Sequence, residues 1–280
     1  MTSTMFNIGG DLAVRRLGFG AMRLPTEAGP AREASLAVAR RAVELGVTLI
    51  DTAHMYGWGA NEELLAEALY PYADGLLITT KVGVARSSSS AGWKLDARPD
   101  VLRAQVDHAL RRLRVERIDL LQLHRIDPEV PLAEQLGALR ELQTEGKVGR
   151  IGLSEVTAAE LDRARESVDV ASVQNRYSLL DREHEPVLAA CEAAGIAFLP
   201  WRPVAGAASA ASAEIAAVAA ELDATPAQVS LAWLLHHSPV ILPIPGTARI
   251  DHLEENLAAA RLRLDQACLD RLDRLDRLAG

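Results

Sequence analysis

Asp51, Tyr56, Lys81 and His124 are the side chains of this 280-residue sequence best suited to placing a proton on an oxygen that gains negative charge. In the run Asp51-Thr52-Ala53-His54-Met55-Tyr56-Gly57 a phenol follows a carboxylate by five positions, and Lys81 and His124 end the next two apolar runs. An ammonium beside a phenol stabilises the phenolate and draws its pKa down from about 10, and a carboxylate beside the ammonium keeps it charged and oriented. Tyr56 is then expected to serve as an acid near neutral pH, with His124 donating to the same oxygen and orienting a substrate carbonyl. Taken singly, each residue has a plain structural reading: a rim carboxylate, a loop aromatic, a rim ion pair, a core imidazole. Their joint placement favours chemistry, and lysine is scarce enough here (Lys81, Lys94 and Lys147 against 27 arginines) for its position to carry weight.

These residues need a scaffold that brings successive strand ends to one mouth. Short apolar runs recur at Leu17–Met22, Val47–Thr52, Leu76–Val82, Ile118–His124, Val148–Ser154, Val170–Asn175, Ile196–Trp201 and Val240–Pro243. Helical patterns with three-to-four spacing lie between them, as in Ala31–Leu45 (Leu36, Arg40, Val43), Val101–Leu113 and Leu132–Glu145. Apolar on both faces, the runs suit a buried parallel sheet covered by helices. Eight βα units predict a single (β/α)₈ TIM barrel over residues 1–280, with a doubly wound open sheet as the rival fold. Ahead of them, Phe6–Ile8 and Leu12–Val14 flank Gly9-Gly10-Asp11 and predict a short N-terminal β-hairpin acting as lid or plug. The serine-rich stretch Arg86–Ala97 reads as a surface loop that could reach the substrate. Ala205–Ala213 reads as a closing segment, and the leucines at 264, 269, 272, 275 and 278 as an amphipathic helix packed on the barrel.

In such a barrel the chemistry sits at the C-terminal ends of the strands. Asp51, Lys81, His124, Ser154, Gln174, Asn175 and Trp201 all stand there. The Asp51-Thr52-Ala53 to Tyr56-Gly57 run, Thr80-Lys81, Leu121-Gln122-Leu123-His124 and the segment from Ile244-Pro245-Gly246-Thr247 to Glu255-Asn256 together resemble the aldo-keto reductase superfamily, over Leu17 to Asn256. The resemblance implies a (β/α)₈ barrel in which Asp51, Tyr56, Lys81 and His124 form a tetrad reducing carbonyls with a nicotinamide dinucleotide, Tyr56 being the general acid. It also implies that Ser154 and Gln174 hold the carboxamide and that Trp201 stacks on the nicotinamide. Glu155 departs from the family's common Asn. Gly20, Met22, Arg202, Pro203, Val204 and Gly206 are implied along the rest of the cofactor, and Gly246, Thr247, Arg249, Glu255 and Asn256 at its adenosine end. Many members place cations where this chain has Gly246 and His252, so Arg249 is the expected partner of a 2′-phosphate. NADPH is the expected cofactor and NADH the alternative. Met22, Trp58, Trp93 and Arg125 are expected around the substrate. Many members close the mouth with a C-terminal loop, whereas this sequence stops at Gly280, which implies an open pocket tolerant of bulky carbonyls.

A composition of 49% hydrophobic and 24% charged residues suits a packed globular protein, and a net charge of −8 argues against nucleic acid or anionic membrane as partners. Cys191 and Cys268 lie far from any ligand-spaced Cys or His, so neither a disulfide framework nor a metal site is expected. Neither a signal segment nor a run of apolar residues long enough to span a membrane is apparent. The expectation is a cytoplasmic monomer acting on a small-molecule carbonyl. Two alternatives come from other classes. One is a metal-dependent hydrolase using Asp51, His54 and His124; the other is a cofactor-binding redox sensor with little turnover.

Overall fold

Two glycine-turned strands, β1 (Met5–Ile8) and β2 (Leu12–Arg15), open the computed structural model, which describes residues 4–89, 92–204 and 210–275. A parallel sheet follows in the order β3 (Phe19–Gly20), β4 (Leu49–Asp51), β5 (Leu77–Val82), β8 (Ile118–Leu123), β9 (Val148–Ser154), β10 (Val170–Gln174) and β11 (Ala197–Phe198). Between β5 and β8 the strands β6 (Val84–Arg86) and β7 (Trp93–Leu95) pair with each other as an antiparallel hairpin. The helices are α1 (Pro30–Glu44), α2 (Ala60–Leu69), α3 (Pro99–Leu113), α4 (Leu132–Thr144), α5 (Ala158–Arg165), α6 (Glu185–Ala194), α7 (Ala210–Glu221), α8 (Pro226–His237), α9 (Ile250–Ala258) and α10 (Gln266–Asp273).

Closure comes from residues 240–245, which bond to both edges of the sheet without forming a regular strand. On one side Phe198 N–H donates to Val240 O (2.9 Å) and Leu242 N–H to Phe198 O (2.8 Å); on the other Gly18 N–H donates to Pro243 O (2.9 Å) and Gly20 N–H to Pro245 O (3.2 Å). Pro243 and Pro245 carry no N–H, so this segment can accept where it cannot donate, and its ladder stays incomplete. The eighth apolar run therefore closes the barrel as expected but pairs in strand fashion at a single bridge, Phe198 to Ile241. The first and seventh runs are also shorter than expected as strands. Met22 falls in a one-turn helix over Ala21–Arg23, and Trp201 touches the sheet only through a bridge to Arg176.

Gly20 and Gly246 make this closure possible. A Cβ on Gly20 would stand 2.7 Å from Ile244 O, and one on Gly246 would stand 2.8 Å from Gly20 O. Backbone cannot yield as a side chain does, so Gly20→Ala is expected to destabilise the fold by about 1–3 kcal/mol, the usual range for overpacking. Urea unfolding checks this; a midpoint unchanged from wild type would mean that the seam gives way freely.

The hairpin is a plug. Ile8 and Val14 are fully buried with Leu49, Leu77, Leu120, Ala171, Ala197, Leu199, Leu242 and Ile244, residues drawn largely from the starts of the strands. It seals the end opposite the strand C-termini, which leaves the other end for the site. Between sheet and helices runs a larger core that takes up the expected faces Leu102-Val106-Ala109-Leu113 of α3 and Leu136-Leu139-Leu142 of α4, each buried side chain worth about 1.5–3 kcal/mol. On α1 the face differs from the expected one: Leu36, Val38, Ala39 and Ala42 are buried, while Arg40 is exposed and donates to Ala68 O (3.2 Å). Leu264, Leu272 and Leu275 of the C-terminal segment enter the large core, as do Cys191 and Cys268; Leu278 lies outside the described residues. No helix among the described residues is long and apolar enough to cross a membrane.

Candidate active site

Lys81 lies near the end of β5, directly opposite Gln122 on β8, with its side chain 1% exposed inside the barrel. It donates to Asp51 Oδ2 (2.7 Å), to Thr52 O (2.8 Å) and, more loosely, to Tyr56 Oη (3.4 Å). Asp51 spends its other oxygen on two glutamines, Gln174 Nε2 at 2.8 Å and Gln122 Nε2 at 3.3 Å. Both carboxylate oxygens are thus met by donors from other strands. Burial acts to discharge Lys81, but Asp51 and the Tyr56 oxygen outweigh it and hold the ammonium above its ordinary range.

Tyr56 differs from expectation in one respect. Lys81 does pull its pKa down, yet burial works the other way and is larger, so the phenol is raised rather than lowered. The site therefore holds a proton donor rather than a phenolate. Beside it stands His124, ring centroid 6.2 Å from that of Tyr56 and edge-on to it. Burial first, and then the charges of Lys81 and Arg125, push His124 well below the ordinary histidine range, so the ring is neutral. Its Nδ1 is buried without a hydrogen-bond partner, one of two such side-chain atoms among the described residues. A neutral imidazole carries one N–H. Placed on Nε2, which makes no hydrogen bond among the described residues, that N–H can go to a bound oxygen.

The loop carrying Tyr56 is held from below by residues that the sequence reading passed over. Thr52 Oγ1 donates to Asn61 Oδ1 (2.6 Å), and Asn61 Nδ2 donates to Ala21 O (2.9 Å), tying this loop to the β3 rim. Glu62, fully buried, accepts from Thr80 Oγ1 (2.7 Å) and from Arg112 Nη1 (3.2 Å). Arg112 also meets His54 Nδ1 at 3.1 Å, and burial together with this cation pushes His54 down to about 4. His54 is therefore neutral, and its Nδ1 faces the Arg112 guanidinium. Three successive residues, Gly57, Trp58 and Gly59, adopt positive φ in this loop. At Gly59 the Arg112 guanidinium fills the space, since a Cβ there would come within 2.1 Å of its Cζ. Trp58 holds φ 56° despite its bulk, a strained state that its surroundings must impose. Its ring meets His54 edge-on and lies under Arg86 at 5.1 Å.

Arg86 pairs with Trp93 across the β6–β7 hairpin, so the stretch expected as a loop is a ribbon bringing Trp93 and the Arg86–Trp58 stack to one flank. Met22 is 56% exposed and Trp93 36%, whereas Arg125 is half-buried.

At the far rim, Ser154 Oγ accepts from Arg125 Nη1 (3.1 Å) and keeps its own proton for another acceptor. Gln174 turns its amide nitrogen inward to Asp51 and leaves Oε1 without a hydrogen-bond partner among the described residues. Glu155, at φ 54°, accepts from Trp201 Nε1 (2.5 Å) and Arg176 N (2.7 Å), and fixes the half-buried indole on edge. A hydroxyl donor, an amide acceptor and a braced aromatic plane at one rim are a donor set that fits a nicotinamide carboxamide.

Arg202, Pro203 and Val204 continue from Trp201; Gly206 lies outside the described residues. Beyond the seam, Thr247 is buried and accepts from Arg249 N (3.1 Å), and Asn256 is nearly buried on α9. Arg249 is exposed and paired with Asp251. Glu255 is turned to Thr225 Oγ1 (2.6 Å), binding α9 to α8. Arg23, which the sequence reading missed, stands by this end with its Cγ 3.8 Å from the place of a Gly246 Cβ.

A model of the Aldo/keto reductase family matches residues 16–277. Over 94% of this chain and 87% of the relative, the sequence is 45% identical to an uncharacterised oxidoreductase of Schizosaccharomyces pombe. It is 39% identical to the pyridoxine 4-dehydrogenase of Escherichia coli over 99% of this chain and 100% of that enzyme. Among solved structures, an aldo-keto reductase from Klebsiella pneumoniae in complex with NADP and acetate superposes with a TM-score of 0.83 at 27% identity, covering 98% of this chain and 95% of the other.

Proposed function

Since the chain belongs to the aldo/keto reductase family, we propose that it uses NADPH to reduce an aldehyde or ketone to the alcohol, with Tyr56 giving the proton that the new alkoxide requires. The observation carrying this reading is the unbroken contact chain Asp51–Lys81–Tyr56 beside a neutral His124. A carbonyl oxygen seated between Tyr56 Oη and the His124 ring would meet two donors, and both interactions strengthen as charge grows on that oxygen. When bound, the nicotinamide would supply the reducing power, as a hydride for the carbonyl carbon. Lys81 stabilises the phenolate that remains once the proton has moved, and Asp51 keeps Lys81 charged and in place. Ser154, Gln174 and Trp201 would hold the nicotinamide end. Arg23 and Arg249 would meet the 2′-phosphate, a pair of guanidiniums that favours NADPH over NADH.

The test begins with titration of the protein with NADPH and NADH, following quenching of tryptophan fluorescence. Aldehydes are added next, the 4-aldehyde of pyridoxine heading the panel because of the Escherichia coli relative, with benzaldehyde and bulky ketones behind it. Tight NADPH binding with oxidation on adding a carbonyl supports the proposal; binding of neither nucleotide would overturn it.

A further inference from the structure

Arg125 is a cation at the mouth that forms no ion pair among the described residues. It follows His124 directly, is half-buried, and uses Nη1 on His124 O (2.6 Å) and Ser154 Oγ (3.1 Å). Its Nη2 amino group and its Nε–H have no hydrogen-bond partner, and no carboxylate lies within ion-pair distance among the described residues. Several other guanidiniums are matched within the chain. Fully buried Arg16 donates to three backbone carbonyls (Ile241, Leu235 and Ser238), and Arg32, Arg41, Arg103 and Arg271 meet carboxylates. The carboxylate of Glu155 is close enough to be felt by Arg125, but Trp201 Nε1 and Arg176 N hold its Oε1. Partial burial without a counter-ion makes the charge costly, and the guanidinium is held below its ordinary range for that reason.

Position decides what would answer this charge. Arg125 is tethered to the backbone carbonyl of His124, and its charge reaches the Tyr56 phenol. An anion docked on its free N–H groups would therefore sit within a few bonds of an oxygen held by Tyr56 and His124. Lys81 cannot take that part, because Asp51 already neutralises it. Resting on the reductase reading above, we propose that the enzyme selects carbonyl substrates bearing an anionic oxygen next to the carbonyl-bearing carbon, and that Arg125 is the residue that reads it. An aromatic aldehyde with an ionised hydroxyl in the ortho position is the simplest member of that class; a carboxylate in the same place has the same chemistry.

Three aldehydes separate this from simple aromatic packing: 2-hydroxybenzaldehyde, 2-carboxybenzaldehyde and the uncharged, similarly sized 2-methoxybenzaldehyde. Each is assayed with NADPH in wild type, Arg125→Gln and Arg125→Lys. Within wild type, kcat/KM for either anionic aldehyde should exceed that for the methoxy compound by about tenfold or more, as a charge-assisted hydrogen bond provides. The excess should appear largely in KM; for 2-hydroxybenzaldehyde it should grow as the pH is raised through ionisation of the hydroxyl, whereas 2-carboxybenzaldehyde, already ionised, should show it throughout. In Arg125→Gln the ratio should collapse towards one and its pH dependence should vanish, while Arg125→Lys restores part of it. A preference for one anionic aldehyde alone identifies which source of the charge fits. A ratio near one in wild type, or one that survives in Arg125→Gln, overturns the proposal. Failure of the reductase reading looks different: wild type would then reduce none of the three, and the proposal would fall with it.

Discussion

Tyr56→Phe is expected to lower kcat by about 10²–10⁴-fold, the usual contribution of a positioned general acid, while NADPH binding stays within about twofold of wild type, well under the factor of ten that 1.4 kcal/mol represents. Among the described residues the phenol oxygen hydrogen-bonds only with Lys81, at 3.4 Å, so its removal breaks one loose hydrogen bond and leaves the ring packed beside His124. Stability should therefore hardly change, and the loss should fall on the chemical step. The pH profile supplies an independent reading. Tyr56 is raised above the ordinary phenol range and is an acid, so it keeps its proton from neutral into alkaline solution. His124 is lowered and is a base, so it stays neutral through the same span. Reduction of an aldehyde without ionisable groups should accordingly show no inflection between about pH 6.5 and 10, the ordinary values of the two groups. Single-turnover measurements with preloaded NADPH across that range check both statements. An unimpaired Phe variant would remove Tyr56 from the mechanism, and an inflection near neutrality that disappears in His124→Gln would mean that the imidazole titrates in the working enzyme.

The sequence made the strand ends legible because a barrel strand buried on both faces has little choice of composition. Polar residues ending apolar runs, such as Lys81 after Leu76–Thr80 or Gln174 after Val170–Val173, are conspicuous for that reason. The supports of those residues left fainter marks. Gln122 lies among Leu120, Leu121 and Leu123, and an amide inside such a run is a signal in its own right; its partner Asp51, 71 positions away, is invisible without the fold. Glu62 and Glu63 are adjacent acids at a helix start, yet one is fully buried against Thr80 and Arg112 and the other is mostly exposed. Only the packing of α3 beside α2 tells them apart. The sign of the Tyr56 shift was also out of reach, since it depends on whether burial or the neighbouring ammonium is larger, and spacing gives only the ammonium. The hairpin could be placed in the chain but not at an end of the barrel, because its buried side chains, Ile8 and Val14, would suit either a lid or a plug.

Asp51 and Lys81 are expected to respond unequally to loss of each other, and the asymmetry follows from who else attends each charge. Without Lys81, as in Lys81→Met, Asp51 still accepts from Gln122 and Gln174 at 3.3 and 2.8 Å, so its remaining oxygen is the part left exposed to cost. Without a carboxylate, as in Asp51→Asn, Lys81 keeps only the Thr52 carbonyl and the Tyr56 oxygen while remaining 1% exposed. The introduced amide makes matters worse. It can present its oxygen to one side only, so its NH₂ must face either the ammonium or the two glutamine donors. Burial is the largest influence on Lys81 and acts to discharge it, so the lysine in this variant should lose its proton or the site should loosen. Removing one partner of a buried pair costs about 3–5 kcal/mol; Asp51→Asn should fall at the upper end of that range and Lys81→Met at or below the lower. The double variant should be more stable than Asp51→Asn alone, because no unmatched charge is left behind. Both single variants should lose most activity, the first by displacing Lys81 and the second by leaving the Tyr56 phenolate without its cation. Denaturant unfolding of the four proteins of this cycle reads the asymmetry directly. Equal losses in the two single variants would mean that the glutamines do not support Asp51, and an Asp51→Asn protein as stable as wild type would mean that water reaches Lys81 in the folded barrel.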